Sequence, residues 1–136
     1  MKICIVSDSH DNRKLLDEAV LDAKNSGAEA VLHCGDVVAP TTLRVLQKHG
    51  LPVHVIHGNN TGDLYNLTKL SHEPDSVVEF YGHDAGLELA GKKIFLVHGE
   101  SKSLLNLKKE LLSFGVNEVE ILEYGKQYNI EAGRKL

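Results

Sequence analysis

Short apolar runs that break off on residues able to hold a metal ion constrain this chain more than any other feature. Ile3–Val6 runs into Ser7-Asp8-Ser9-His10, and Ala30–Cys34 into Gly35-Asp36. Val53–Ile56 runs into His57-Gly58-Asn59-Asn60, and Ile94–Val97 into His98-Gly99. A fifth run, Val119–Tyr124, ends differently, in Gly125-Lys126-Gln127-Tyr128. Apolar runs of this length bounded by turn formers read as buried strands. Polar side chains lined up at strand ends are how an open α/β sheet assembles an active site.

The intervals between the runs predict the layers. Leu15, Leu16, Ala19, Val20 and Ala23 recur at helical spacing, so a helix is expected near Asp11–Asn25, stopped by Gly27. A strand at Glu29–Cys34 precedes a second helix near Pro40–His49, with Pro40 suited to the first turn and Gly50 to the end. The resulting β-α-β-α-β order implies a parallel sheet with helices packed on it. Residues Thr61–Val78 are polar and carry Gly62 and Pro74, which reads as a loop with one short helix at Leu64–Leu70. Gly86–Ala90 and Lys93–Val97 flank Gly91-Lys92, the signature of a β-hairpin and of a second, mixed or antiparallel sheet. Ser101–Phe114 carries Leu104, Leu105, Leu107, Leu111 and Leu112 and reads as an amphipathic helix opened by a serine cap. Strands near Glu118–Glu123 and Gln127–Glu131 are expected to close the chain. With no repeat, linker or low-complexity tract, residues 1–136 read as a single domain.

Composition narrows the function. A net charge of −4 and a pI near 6.0 provide no basic field for nucleic acid or an anionic membrane. No apolar stretch approaches the roughly 20 residues of a membrane span. Met1-Lys2-Ile3-Cys4 enters a strand directly without a signal-peptide layout, so a cytoplasmic location is expected. Cys4 and Cys34 lie within apolar runs and read as buried thiols. Eight histidines are the one unusual count, and histidine is the commonest protein metal ligand.

Taken singly, the polar strand ends have ordinary explanations. Asp8 suits a helix N-cap, Asp36 and Asn59 suit turns, and His98 suits a hydrogen-bonded core position. Taken together, four such ends, with glycine beside three of them, make coincidence a poor account. Asp8 and His10 stand two residues apart and can converge on one ion, while the two oxygens of Asp36 can bridge two cations.

Asp8-x-His10, Gly35-Asp36, Gly58-Asn59-Asn60 and His98-Gly99, in this order and spacing, resemble the calcineurin-like metallophosphoesterase superfamily, and in particular its small phosphodiesterase branch. The resemblance covers essentially the whole chain and implies an α/β sandwich of two β-sheets flanked by helices. It further implies a phosphoesterase with two divalent metal ions, manganese, nickel, iron or zinc. Asp8, His10 and Asp36 would hold one ion, and Asp36, Asn59 and His98 the other. In such a pair a metal-activated hydroxide attacks a phosphate ester of a small molecule. Many superfamily members follow the Gly-Asn pair with a histidine that protonates the leaving group. Here Asn60 stands in that catalytic position, able to hydrogen-bond a phosphate oxygen but not to act as an acid. His33 and His57 precede their motifs, where they could support the ligands beside them, although a buried, satisfied histidine is the expected role for each; His49, His54, His72 and His83 have no motif context.

The resemblance fails at one motif. A Gly-His-x-His element is expected after the fifth run, and its histidine positions hold Lys126 and Tyr128. A protonated lysine is no ligand and is repelled by a cation. Relatives also continue into further strands where this chain stops at Gly133-Arg134-Lys135-Leu136, which leaves the second sheet incomplete, with an unpaired edge that favours a homo-oligomer. Two functions are therefore expected of such a chain: a metal-dependent phosphodiesterase, weakened by these changes, or a catalytically degenerate binding or scaffold protein on the same fold.

Overall fold

Four strands lie side by side in sequence order, all parallel, in the computed structural model, which describes residues 1–116, 119–123 and 125. They are β1 (Lys2–Val6), β2 (Ala28–His33), β3 (Val53–Val55) and β4 (Val78–Phe80). Ile5 pairs with Leu32, Leu32 with His54, and His54 with Glu79. Helices α1 (Arg13–Asn25), α2 (Pro40–Arg44) and α3 (Leu64–Ser71) connect them, with a 3₁₀ turn at Gln47–His49 after α2. An antiparallel hairpin comes next, β5 (Ala85–Leu89) and β6 (Lys92–Leu96). The chain divides into two compact units, Met1–His98 and Gly99–Leu136, the second containing helix α4 (Ser101–Ser113).

Period-two alternation sorts the strand residues of the first unit onto two faces. On one face Val31, Val53, Val55 and Val78 pack against Leu16 and Val20 of α1, Leu43 of α2, Leu46, and Leu67 and Leu70 of α3. On the other, Leu32 and Ile56 pack with Ala85 and Leu96 of the hairpin. The expected α/β architecture is thus present: a helix layer, a parallel sheet and a second, antiparallel sheet. The carboxyl ends of β1, β2 and β3 open along one sheet edge, and the chain reaches His98 two residues beyond β6.

Several local expectations need correction. Strand β4 begins at Val78, where the stretch read as loop ends, and was not expected; it has three residues, too few for alternation to show. Its place is fixed by long-range bonds, Val53 N–H donating to Val77 O at 2.8 Å and Tyr81 N–H to Val55 O at 3.0 Å. Helix α2 is shorter than expected, and its final turn tightens to 3₁₀ before Gly50 (φ 66°). The N-cap of α1 is Asn12, whose side chain accepts from Leu15 N–H at 3.1 Å, so Asp8 is spared that duty. Glu100, not Ser101, occupies the N-cap of α4, with no side-chain cap bond. The hairpin turns at Ala90-Gly91, both at positive φ (50° and 72°), one residue earlier than expected; such angles suit a two-residue hairpin turn. Residues 119–123 form no strand, and the Gln127–Glu131 expectation lies outside the described residues.

Candidate metal centre

The centre begins where β1 and β2 end, because backbone bonds continue to stitch the two loops together beyond the strands. Asp8 N–H donates to Gly35 O (2.9 Å), His10 N–H to Asp36 O (3.0 Å) and Asp11 N–H to Val37 O (3.3 Å). To keep this zipper while exposing its side chains, the backbone adopts left-handed angles at Asp8 (φ 54°), His10 (39°), Asp11 (61°), Asp36 (55°) and Val38 (74°). Such angles cost about 1–3 kcal/mol at a non-glycine residue and cluster at functional sites. Val38 is the most telling case, since a β-branched residue is strongly disfavoured there.

Glycines let the β3 loop close on this pair. A Cβ at Gly58 would lie 2.0 Å from Asp36 Oδ1, and one at Gly35 would meet His98 Nδ1 at 2.8 Å and Gly58 Cα at 2.9 Å. No side chain fits at either position, so these glycines are required by close approach.

Asp8, His10 and Asp36 come together with their ligand atoms all within 4.8 Å of one another. His10 Nε2 lies 3.7 Å from Asp8 Oδ1 and 3.6 Å from Asp36 Oδ2. Asp36 is buried, and its other oxygen, Oδ1, accepts from Asn60 N–H at 2.9 Å and faces His98 Nε2 at 3.6 Å. His98 Nε2 also sits 2.9 Å from Asn59 Oδ1. All five expected ligands therefore face one small region, and the two oxygens of Asp36 each look toward a different imidazole. Asn60 is present too, with its side-chain nitrogen 3.5 Å from His10 Nδ1.

The donor chemistry tests whether cations fit. His98 Nδ1 lies 2.9 Å from the Cys34 carbonyl, an acceptor only, so Nδ1 carries the proton. In the neutral ring the lone pair of Nε2 then points at the amide oxygen of Asn59, two acceptors at hydrogen-bond distance. A cation held by both resolves that conflict. At the other end, ligand bonds of about 2.0–2.2 Å would draw Asp8, His10 and Asp36 together with small adjustments. The residues fit a hard divalent metal.

Three neighbours shape the site without belonging to the expected set. Asp11 Oδ1 accepts from Ala39 N–H and from Thr42 Oγ1, both at 2.8 Å, tying the β1 loop to the start of α2. Its only sequence signal was the tolerance of Asp for left-handed backbone. Val38 O accepts from Asp63 N–H at 3.0 Å, and a Cβ at Gly62 would collide with that carbonyl at 2.0 Å. His33, fully buried, accepts Gly35 N–H at Nδ1 (3.3 Å) and so donates from Nε2 to Ser9 Oγ (3.0 Å). Burial pushes its imidazole down to about 4, so it stays neutral near pH 7. Burial also pushes the Cys34 thiol up to about 11, which keeps it a thiol rather than a soft thiolate ligand.

The remaining histidines lie outside the cluster. His49 bonds Asp17 and His54 bonds the Tyr81 hydroxyl, while His57, half-buried rather than buried as expected, meets the exposed His83 edge-on, and His72 lies exposed beside Thr68 O. Lys126 and Tyr128, which stand at the expected histidine positions, lie outside the described residues.

The model of the calcineurin-like phosphoesterase superfamily domain matches residues 1–130. The chain belongs to that superfamily. Among curated relatives, this phosphoesterase-family chain is 28% identical over 110 residues to a phosphodiesterase of Methanocaldococcus jannaschii. The match takes in 79% of this chain and 64% of the relative, so the chain spans a little under two thirds of that protein. A solved structure described as a novel archaeal phosphodiesterase superposes with a TM-score of 0.70 at 26% identity, covering 85% of this chain and 68% of that one.

Proposed function

We propose that this superfamily member is a metal-dependent phosphodiesterase acting on a small phosphate ester. The observation that carries the reading is the position of Asp36, buried between two imidazoles with Oδ2 3.6 Å from His10 Nε2 and Oδ1 3.6 Å from His98 Nε2. A carboxylate so placed serves two ligand sets at once: Asp8, His10 and Asp36 on one side, and Asp36, Asn59 and His98 on the other. Two divalent cations, of manganese, nickel, iron or zinc, would supply Lewis acidity toward phosphoryl oxygens and a water acidic enough to attack near neutral pH.

The protein's own residues hold the bridging carboxylate and orient the ester. The glycine-lined approach of the β2 and β3 loops holds Asp36 in place, and Asn60 N–H fixes the orientation of its carboxylate. The Asn60 side chain orients a phosphate oxygen by hydrogen bonding but supplies no acid, so esters with a good leaving group are favoured. The likeness to a curated phosphodiesterase and to a solved archaeal phosphodiesterase structure supports a diester as substrate. One domain spanning residues 1–136 and a cytoplasmic location belong to the same reading.

A second reading is favoured by sequence observations: Lys126 and Tyr128 occupy the positions where the superfamily resemblance leads one to expect histidines, and Asn60 stands where many members carry an acid histidine. It makes the chain a binding protein that keeps the fold without the chemistry. Hydrolysis of bis(p-nitrophenyl) phosphate with added manganese separates the two. The phosphodiesterase reading expects turnover that falls by about 100-fold or more in Asp36→Asn. Metal binding without turnover establishes the second reading instead, and turnover indifferent to Asp36→Asn removes Asp36 from the chemistry.

A further inference from the structure

Beneath the loop that carries Asp8 and His10 lies a fully buried imidazole that the superfamily's ligand set does not use. His33, the last residue of β2, accepts Gly35 N–H at Nδ1 (3.3 Å) and donates from Nε2 to Ser9 Oγ (3.0 Å). Ser9 sits between the two ligands. The backbone N–H groups on either side of it, those of Asp8 and His10, are tied to Gly35 O and Asp36 O. Both flanking residues are in left-handed conformations, at φ 54° and 39°. The middle of this strained loop is held at two Ser9 atoms, the carbonyl accepting Asn12 N–H at 2.8 Å and the hydroxyl meeting His33, which alone among the described residues ties it to β2. Through Gly35 the same imidazole touches the loop that carries Asp36.

We infer that His33 is a positioning residue that locks Ser9, and through it sets Asp8 and His10 against Asp36 for metal binding. The inference rests on the metal-dependent reading above. It differs from a packing role, because a histidine that only filled space would be indifferent to the Ser9 hydroxyl. Residues that orient metal ligands without touching the metal characteristically change metal affinity by about 10–100-fold when altered.

Calorimetric titration of Mn²⁺ into the purified protein tests it without reliance on turnover. Ser9→Ala removes one partner at a partly exposed site and should leave the fold intact, while His33→Asn keeps an acceptor for Gly35 N–H but falls short of Ser9. Each is expected to weaken the tighter Mn²⁺ affinity by about tenfold. The double variant is expected to be no weaker than either single, because both remove one bond. His33→Gln places an amide N–H near the Nε2 position and is expected to recover the affinity to within about threefold. Unchanged affinity in Ser9→Ala overturns the inference, as does a double variant about 100-fold weaker, the sum of independent effects. Wild-type protein that takes up no Mn²⁺ overturns the phosphodiesterase reading itself, a distinct outcome from wild-type binding with indifferent variants.

Discussion

Gly58→Ala should damage the site while leaving most of the fold standing, and the structure sets the size of the damage. Gly58 does not use a positive φ, so its backbone tolerates alanine. The added Cβ would fall 2.0 Å from Asp36 Oδ1 and 2.8 Å from Asp36 N, where ordinary contact begins near 3.4 Å. The carboxylate must therefore retreat by about 1.4 Å, against the bond it accepts from Asn60 N–H. Displacements of about 1 Å at a reacting centre cost on the order of 100-fold in rate. Overpacking of this kind costs about 1–3 kcal/mol in stability, so the variant is expected to remain folded. Gly86→Ala is the matched control, since nothing lies within 4 Å of its added Cβ and its φ is not positive. Diester hydrolysis with manganese, read beside thermal unfolding, is the assay. Gly58→Ala should lose about 100-fold in kcat/KM with a lowered but cooperative melt, and Gly86→Ala should match the wild type. Activity in Gly58→Ala within about threefold of wild type would refute the close approach of the β3 loop to Asp36.

The clamp at Asp11 and the pairing of Asp17 on α1 with the 3₁₀ turn give two further expectations. Asp11→Ala removes the acceptor for Ala39 N–H and Thr42 Oγ1 and leaves a β-carbon residue at φ 61°; urea unfolding should show a loss of about 1–3 kcal/mol, with Asp11→Asn costing less because asparagine tolerates left-handed backbone. Lys48 chiefly, and His49 beside it, hold the Asp17 carboxyl below its ordinary value. A depressed carboxylate stabilises the fold above its unfolded pKa, and that stability drains away as pH falls through the folded one. Melting curves of Asp17→Asn should therefore lie below wild type at pH 7 and converge on it below about pH 4; a gap that stays constant with pH would refute the pairing.

Short-range pattern is the part of the fold that was legible in the sequence. Apolar runs at 3–6, 30–34 and 53–56 and the helical stripe through Leu16 and Val20 place the sheet and its cover, since burial on one face forces those periods. The five candidate ligands were legible because they cluster just beyond the ends of four apolar runs. Strand β4 was not, because three residues carry no period and its register comes from partners on β3. Asp11 and Val38 were missed because left-handed backbone at a non-glycine residue leaves no mark in composition; it is imposed by the stitched loops. His33 could be read in the sequence as packing or as support for the motif beside it, and the contacts on both ring nitrogens give it specific partners. The fifth run misled for a related reason. An apolar run alone does not fix a strand, and residues 119–123 form none.

Everything proposed for the chemistry depends on Asp36 bridging two cation sites. Anomalous diffraction from crystals of the protein grown with Mn²⁺ tests that bridge directly. Two manganese peaks are expected to flank the Asp36 carboxylate, one among Asp8, His10 and Asp36 and the other among Asp36, Asn59 and His98. Manganese absent from both positions, or bound away from Asp36, would rule the bridge out.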